Sequence, residues 1–457
     1  MIDEIRGPVH LVGIGGMHMS AIGQLLLERG IPVTGSDLRP SEFTARLETL
    51  GATVFTGHAA ANVGDATLVV TTAAAATDNP ELVEARSRAI PILIRAEMVA
   101  KLMRGKRVIA VAGAHGKTTT SSLIAFILSE AGLRPMYLLG GESIDLGGHA
   151  AWGEGDLCVV EADEYKRAFH EYEPEIAVIT NVEADHLDYY GTESAYHEAF
   201  EVFARRVKRG GRLLACWDDP GARRASEAVE NEPFATETYG MEGTRFWQAT
   251  DLRPEADAIE FTLRRAGAAL GGLRATVPAD HFVRNVTAAA AVCLGLGVPF
   301  EAVAAAVAKF QGARRRFETV GQAGGILIMD DYAHHPTEVR ATIDAARRRF
   351  PGQRLIGVYQ PHTYSRISYL WDDWTRCWAG LDELVLLETY AARETPVAGR
   401  SAADLATAIV EPPAHYARDF DDAARQAAGL ARPGDVIFTI GAGDVVEVGP
   451  KILELLR

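Results

Sequence analysis

The chain has 457 residues, of which 48% are hydrophobic and 23% charged; that is too long for one hydrophobic core, predicts about three domains at roughly 150 residues each, and excludes a disordered chain. A formal net charge of −15 argues against nonspecific binding to nucleic acid or to anionic membranes, so any anionic ligand must be held by a local site. Cys158, Cys216, Cys293 and Cys377 form no close pair, no leader pattern is seen, and no apolar run reaches the ~18 residues needed to span a bilayer, so a cytoplasmic protein with no membrane partner is expected.

The first predicted strand, near Val9–Val12, enters the glycine turn Gly13-Ile-Gly-Gly-Met-His-Met-Ser20. Met19, Ile22, Leu25 and Leu26 then mark one helix face ending near Arg29-Gly30, and a second strand around Val33 delivers Asp37. This is half of a dinucleotide-type βαβ unit. His18 replaces the third glycine of G-x-G-x-x-G, which speaks against hydride chemistry but leaves room for a nucleotide diphosphate. A βα turn that merely needs positive φ is the plainer alternative. Thr67–Thr72, a helix after Asn79-Pro80, and a short strand in Pro91–Met98 complete an alternating pattern that implies a parallel sheet.

The stretch Val108–Thr120 carries the strongest signal, a β-branched strand followed by Gly113-Ala-His-Gly-Lys-Thr118 and the start of a helix. Backbone N–H groups from Gly113 to Thr118 can cradle phosphate, Lys117 supplies a point charge, and Thr118 offers a hydroxyl to Mg²⁺. The first glycine is displaced from the usual phosphate-loop spacing, because Val111 stands five residues before Gly116. Leu123, Ile124, Ile127 and Leu128 give the helix a buried face, and Gly132 ends it. Two further buried strands run into Glu161-Ala-Asp-Glu164 and into Val182-Glu-Ala-Asp-His-Leu-Asp188. Acidic groups at the carboxyl ends of parallel strands lie where α/β sheets bind ligands. Glu161 suits a hard cation, and His186 is a softer ligand that requires a dedicated site.

Together, Ala114-His-Gly-Lys-Thr-Thr-Thr120, Glu161-Ala-Asp-Glu164 and Thr180-Asn-Val-Glu-Ala-Asp-His186 resemble the Mur ligases of peptidoglycan synthesis. The resemblance continues in Gly13-Ile-Gly-Gly with Met19-Ser20, in Asp78-Asn-Pro-Glu-Leu82 and in Arg95-Ala-Glu-Met98, and it covers nearly the full length. It implies an α/β protein of three domains. Residues 1–104 would form a Rossmann-like domain that holds a UDP-sugar through Gly13, Gly15, Gly16, Met19, Ser20, Asp37 and Thr72. Residues 105–314 would form a phosphate-loop ATP domain with a small antiparallel patch, and residues 315–457 a second Rossmann-like domain for an amino acid. The resemblance further implies that Gly113, His115, Gly116, Lys117, Thr118, Thr119 and Asn181 face ATP. Thr118 and Glu161 would serve one Mg²⁺, which Mn²⁺ can replace, and His186 a second metal that Asn181 helps to order.

Past residue 216 the sequence carries little chemistry until His281-Phe-Val-Arg-Asn285. There the family's adenine pattern retains His281 and Asn285 but has Phe282 for an asparagine, an aromatic that could stack on the base. An alanine-rich core helix is predicted from Val286 to Leu296. Arg315 and Arg316 resemble hinge arginines that reach phosphate on closure, although Arg314-Arg-Arg316 also suits a solvated face. In the last domain, strands at 325–329, 355–359, 382–387 and 435–440 are predicted, and Trp371, Trp374 and Trp378 read as one helix core face. The resemblance places Asp331, Tyr332, His334 and Arg366 near the incoming amino acid. Thr363 stands where the family often has arginine, so Arg366 is expected to carry more of the anion contact. For His334-His335, spacing supplies no third ligand, so a structural or substrate-orienting role is expected rather than metal binding.

A carboxylate needs activation before an amine can displace its oxygen, and ATP supplies it. The implied reaction joins L-alanine to the lactyl carboxylate of UDP-N-acetylmuramate through an acyl phosphate, with Lys117, His186, Arg316, His334 and Arg366 in catalytic roles. A ligase that adds a preformed tripeptide to the same sugar nucleotide is the nearest rival. A non-catalytic nucleotide-sugar sensor is a third reading, opposed by intact Lys117, Thr118, Glu161 and His186. A monomer or weak homodimer is expected.

Overall fold

A computed structural model describes residues 5–72, 75–392 and 394–457. Three sheets follow one another along the chain. The first contains β1 (Val9–Val12), β2 (Val33–Asp37), β3 (Thr53–Thr56), β4 (Leu68–Thr71) and β5 (Ile92–Ile94), all parallel in the order β3-β2-β1-β4-β5. Helices cover its faces, which is why the central strands β1 and β4 are buried throughout and apolar apart from His10 and Thr71.

The second sheet has ten strands. They are β6 (Arg107–Ala112), β7 (Met136–Ser143), β8 (Gly148–Ala151), β9 (Leu157–Glu161), β10 (Ile176–Ile179), β11 (Arg212–Cys216), β12 (Ala235–Gly240), β13 (Trp247–Pro254), β14 (Ile259–Arg265) and β15 (Ala268–Ala275). Their order is β15-β14-β13-β12-β11-β10-β6-β9-β7-β8. Pairing is parallel from β13 to β7 and antiparallel at both margins, so the expected antiparallel patch forms one end of the same sheet. The third sheet contains β16 (Glu318–Ala323), β17 (Ile326–Asp331), β18 (Leu355–Tyr359), β19 (Glu383–Leu387), β20 (Ala414–Ala417) and β21 (Val436–Ile440), ordered β16-β17-β21-β18-β19-β20 with only β16 antiparallel.

This topology aims the site. β6 lies between β10 and β9, so the loop after β6 opens beside the carboxyl ends of the two strands that carry Glu161 and Thr180-Asn181. The first sheet's helix Met17–Glu28 docks on the central sheet's margin, where Ser20 Oγ meets His149 Nε2 at 3.1 Å and Gln24 Nε2 donates to the Ala150 carbonyl at 2.8 Å.

Gly140 and Gly141 lie within β7, where a Cβ on Gly140 would come within 2.3 Å of the Glu161 carboxylate. Two local expectations change. The helix expected from Val286 begins at Asp280, because the chain turns helical as soon as Ala279 has left the extended region, and it carries His281 and Asn285 in its first turns. The tryptophans do not share one helix, since the helical segment Trp371–Trp374 ends before Trp378. Trp374 and Trp378 are still fully buried, while Trp371 lies at the margin under the Arg400 guanidinium, 4.3 Å from its ring centre.

A buried carboxylate pins the first sheet. Glu81 accepts hydrogen bonds from Ser36 Oγ at 2.6 Å and Asn62 Nδ2 at 2.7 Å, with His58 at 3.2 Å and His10 at 3.6 Å. Burial alone would raise its pKa, but the nearby His10 and the hydrogen bonds from Ser36 and Asn62 outweigh that and lower it to about 2. Its contribution to stability is therefore complete above its ordinary value of 4.5 and is lost as pH falls from there toward 2. Glu81→Gln is expected to cost about 2 kcal/mol at pH 7, and urea denaturation followed against pH should show the gap to the wild type closing below that ordinary value.

Candidate active site

The phosphate loop depends on two glycines with positive φ, +147° at Gly113 and +79° at Gly116. A Cβ at Gly113 would come within 1.9 Å of Thr180 Oγ1, and one at Gly116 within 2.8 Å of Asn285 Oδ1. The displaced first glycine is thus required by the close passage of β10. Thr180 Oγ1 donates to the His115 carbonyl at 2.6 Å. Asn181 accepts from His115 N at 2.8 Å and donates to the same carbonyl at 2.9 Å. Asn181, expected to order a metal at His186, instead braces the loop, because both ends of its amide are committed to one residue.

Lys117 folds back onto the loop, donating to the carbonyls of Gly113 at 2.5 Å and Ala114 at 3.1 Å and pairing with Glu164 at 2.9 Å. Burial alone would lower its pKa, but Glu164 and Glu161 raise it, so the ammonium stays charged. Thr118 Oγ1 donates to Glu161 Oε2 at 2.7 Å, and Gly140 N donates to the same oxygen at 3.0 Å. This hydroxyl and carboxylate, cradled where a side chain at 140 would not fit, are an oxygen donor pair suited to Mg²⁺.

A cavity of ≈ 390 Å³ opens beside the loop. His115, Gly116, Thr119 and Asn181 line one wall, His281, Phe282 and Asn285 a second, and Arg316, Asp331 and Glu338 a third, so two domains enclose it. His281 is a neutral imidazole, because burial and the nearby Arg284 lower it to about 4. Phe282 also packs against Phe310, ring centres 6.4 Å apart. Burial raises Asp331 to about 6, although Arg316 opposes the rise and the backbone N–H groups of Phe317 and Ala333 donate to it at 2.8 and 2.9 Å.

The two hinge arginines part company. Arg316 borders the cavity and lies 3.5 Å from Glu338. Arg315 turns away to Asp330 at 2.9 Å and the Gly441 carbonyl at 2.6 Å, which binds it to the third sheet rather than to the nucleotide side. Both guanidiniums lie over the Tyr332 ring, 5.0 and 5.1 Å from its centre. Beyond them, Arg366 grips both oxygens of Asp185 at 2.8 and 3.0 Å and donates to the His362 carbonyl at 2.9 Å. Expected to offer its charge to a ligand, Arg366 is already neutralised across the domain junction. Burial alone would raise Asp185, but Arg366 holds it well below the carboxylate range. His334 bonds to the Tyr332 carbonyl at 3.0 Å and is neutral, lowered to about 3 by burial.

His186 occupies a second cavity with Asp185, His362, Thr363, Arg366 and Tyr390. Its Nε2 is 3.9 Å from Glu164, which links it to Lys117. Thr363, in the position where an arginine is frequent, bonds to Ser365 Oγ at 2.9 Å. His115 lies between Glu183, 3.0 Å from Nε2, and Glu338, 3.2 Å from Nδ1. Burial works against a charged ring, yet Glu338 and Glu183 raise it to about 10. Glu164, Glu183, Asp185 and Glu338 were not singled out from the sequence. Glu164, Glu183 and Asp185 stand in acidic runs after strand ends and Glu338 in the first turn of a helix, but the partners that decide their roles come from remote segments.

In the first domain, Gly13 has φ +80° and Gly16 begins the helix Met17–Glu28 without a side-chain cap, so its backbone N–H groups suit an anion. A Cβ on Gly13 would lie 3.1 Å from Thr72 Cγ2, which places Thr72 at the turn. Asp37 accepts from Gly15 N at 2.9 Å and so supports the turn from behind. Met19 and Ser20 are buried in packing. His18 is neutral, lowered to about 3 by burial and by Arg95, which itself pairs with Asp163 of the central domain at 2.6 Å.

Profiles of three domains match in sequence: the Mur ligase family catalytic domain over residues 8–107, the Mur ligase middle domain over 111–293, and the Mur ligase glutamate ligase domain over 315–443. The UDP-N-acetylmuramate–L-alanine ligase of Roseiflexus castenholzii is 43% identical, covering 97% of this chain and 96% of the relative. The chain belongs to the Mur ligase family. Membership makes it an ATP-dependent ligase. A second relative with the same name, from Geobacter sp. strain M21, is 41% identical over 98% of this chain and 97% of its own. The crystal structure of the UDP-N-acetylmuramate-alanine ligase of Thermotoga maritima superposes with a TM-score of 0.83 at 27% identity, covering 98% of this Mur ligase and 99% of that chain. A murein peptide ligase from Psychrobacter arcticus shares the fold, with a TM-score of 0.74 at 23% identity over 99% of both chains. No helix among the described residues is long and apolar enough to cross a membrane.

The Asp185–Arg366 pair should report on the junction. Asp185→Asn leaves a buried guanidinium without its counter-charge and is expected to cost about 3 kcal/mol, read as a lower urea midpoint for the transition that involves the third sheet.

Proposed function

We propose that this Mur ligase joins L-alanine to the lactyl carboxylate of UDP-N-acetylmuramate. The observation that carries the reading is the meeting, at one cavity, of a phosphate loop and a partly buried arginine from the next domain, Arg316. The names of the full-length relatives support the choice of substrates. The three units are residues 1–104 for the UDP-sugar, 105–314 for ATP and 315–457 for the amino acid, in a cytoplasmic protein that acts as a monomer or weak homodimer.

The chemistry follows from charge. Gly113, His115, Gly116 and Thr119 would surround the phosphates, with His281, Phe282 and Asn285 toward the base. Thr118 and Glu161 would hold Mg²⁺, or Mn²⁺ in its place, whose charge offsets that of the phosphates. His186 would serve a second ion, in competition with Lys117 for Glu164. The lactyl carboxylate attacks the γ-phosphorus and ADP departs. The amine of L-alanine then attacks the acyl carbon, and phosphate leaves with the former carboxylate oxygen. Lys117 would exchange its loop carbonyls for phosphate oxygens, and Arg316 would stabilise charge on the transferring group. Asp331, Tyr332, His334 and Arg366 would border the amino acid, with Arg366 acting through Asp185 and His362 rather than as a free cation. Enclosure between the domains would keep water from the acyl phosphate.

Purified protein given UDP-N-acetylmuramate, ATP and Mg²⁺ should release phosphate only when L-alanine is added; L-alanine-independent release, or none, would sink the assignment. If a preformed tripeptide is used in preference to L-alanine, the tripeptide-adding ligase is the correct reading. Lys117→Ala should lower turnover by at least about a thousandfold while calorimetric binding of the UDP-sugar persists; loss of both in a folded variant contradicts the division of labour.

A further inference from the structure

The third ligand that spacing did not supply beside His334-His335 arrives from the central domain. His115 of the phosphate loop, Glu183 after β10 and His335 at the start of the helix Pro336–Arg349 each place one donor atom within 4.8 Å of the others. His115 Nε2 is 3.0 Å and His335 Nδ1 3.8 Å from the same oxygen, Glu183 Oε2. Metal–ligand bonds of about 2 Å put neighbouring donors of a tetrahedral ion roughly 3.3 Å apart, and the two observed separations bracket that value.

We propose that His115, Glu183 and His335 form a binding site for a borderline divalent ion of the Zn²⁺ class, distinct from the Thr118–Glu161 pair and from His186, which would pin the third domain's helix to the phosphate loop. Two imidazoles and one carboxylate form the donor set such ions select, whereas Mg²⁺ prefers oxygen throughout. The surrounding groups already orient the donors. Glu338 lies 3.2 Å from His115 Nδ1, turning Nε2 toward Glu183. Thr337 Oγ1 donates to Glu183 Oε1 at 2.6 Å, which leaves Oε2 for the ion. Thr337 N donates to His335 Nδ1 across a long 3.3 Å, so the lone pair of that ring is on the nitrogen nearer Glu183 and would exchange this weak contact for the ion. A carboxylate on the second ring nitrogen, as Glu338 is for His115, is what holds a metal-binding histidine in place. On binding, the His115 ring gives up its Nε2 proton to solvent, and the ion takes over a positive charge that Glu183 and Glu338 already balance.

The test uses the full chain in excess Mg²⁺, with Zn²⁺ titrated by calorimetry and Co²⁺ as the optical probe. The wild type is expected to bind one Zn²⁺ that Mg²⁺ does not displace, and its Co²⁺ form should show the intense visible absorption of a tetrahedral ion. His335→Ala should weaken Zn²⁺ binding tenfold or more and abolish that absorption, while His186→Ala should retain both. Glu183→Gln, checked by circular dichroism to be folded, serves as a second variant with the same expected loss. Zn²⁺ should also slow hydrogen exchange in both residues 113–116 and 336–340 of the wild type. Undiminished Zn²⁺ affinity in both His335→Ala and Glu183→Gln, loss of the Co²⁺ absorption in His186→Ala, or protection of only one of the two segments would overturn the proposal. None of these readouts depends on ligase turnover, so they stand or fall apart from the assignment of substrates.

Discussion

Charge brought together from separate domains is the constraint on which the rest of this structure depends. Lys117, His115, Arg316 and Arg366 are all poorly hydrated at the junction, and each is met by a carboxylate: Glu164, Glu183 with Glu338, Glu338, and Asp185 respectively. In an environment of low dielectric an unpaired member of this set would be costly, so the domains are held by mutual neutralisation as much as by apolar contact. Two of the pairs, His115–Glu338 and Arg366–Asp185, cross between the central and last domains. Domain position and site electrostatics are therefore one quantity, and a ligand that draws Arg316 off Glu338 also alters the carboxylate that holds His115 across the junction.

The phosphate loop shows how little freedom such a site leaves to the backbone. Gly113 and Gly116 are needed both for their positive φ and because Thr180 and Asn285 occupy the space of a side chain. The neighbouring strands then take over the bracing, with Thr180 and Asn181 holding His115 by its backbone and leaving its ring free for the junction. The same economy is seen at Glu161, whose carboxylate occupies the space that Gly140 leaves open.

Resemblance identified a neighbourhood better than it identified a task. Asn181, Arg315 and Arg366 all lie close to the site, but their polar atoms are spent on the loop, on Asp330 with Gly441, and on Asp185. His335 changes in the opposite direction, from a presumed structural residue to one that shares a cluster with His115 and Glu183. In each case the deciding partner lies 15 or more residues away and in most cases more than 100, beyond the reach of any local pattern.

The sequence by itself determined the alternation of strands and helices, the parallel sheets with an antiparallel patch, and the loop at Gly113–Thr118, because periodicity, glycine placement and capping act within a few residues. It also marked Glu161 and His186 as ligand positions at strand ends. Only the tertiary structure decided that Asp37 supports a turn, that the adenine-pattern residues ride on a helix starting at Asp280, and which carboxylate neutralises which cation. Those outcomes depend on distance between remote segments and on the water excluded when they meet, and neither is written in local spacing.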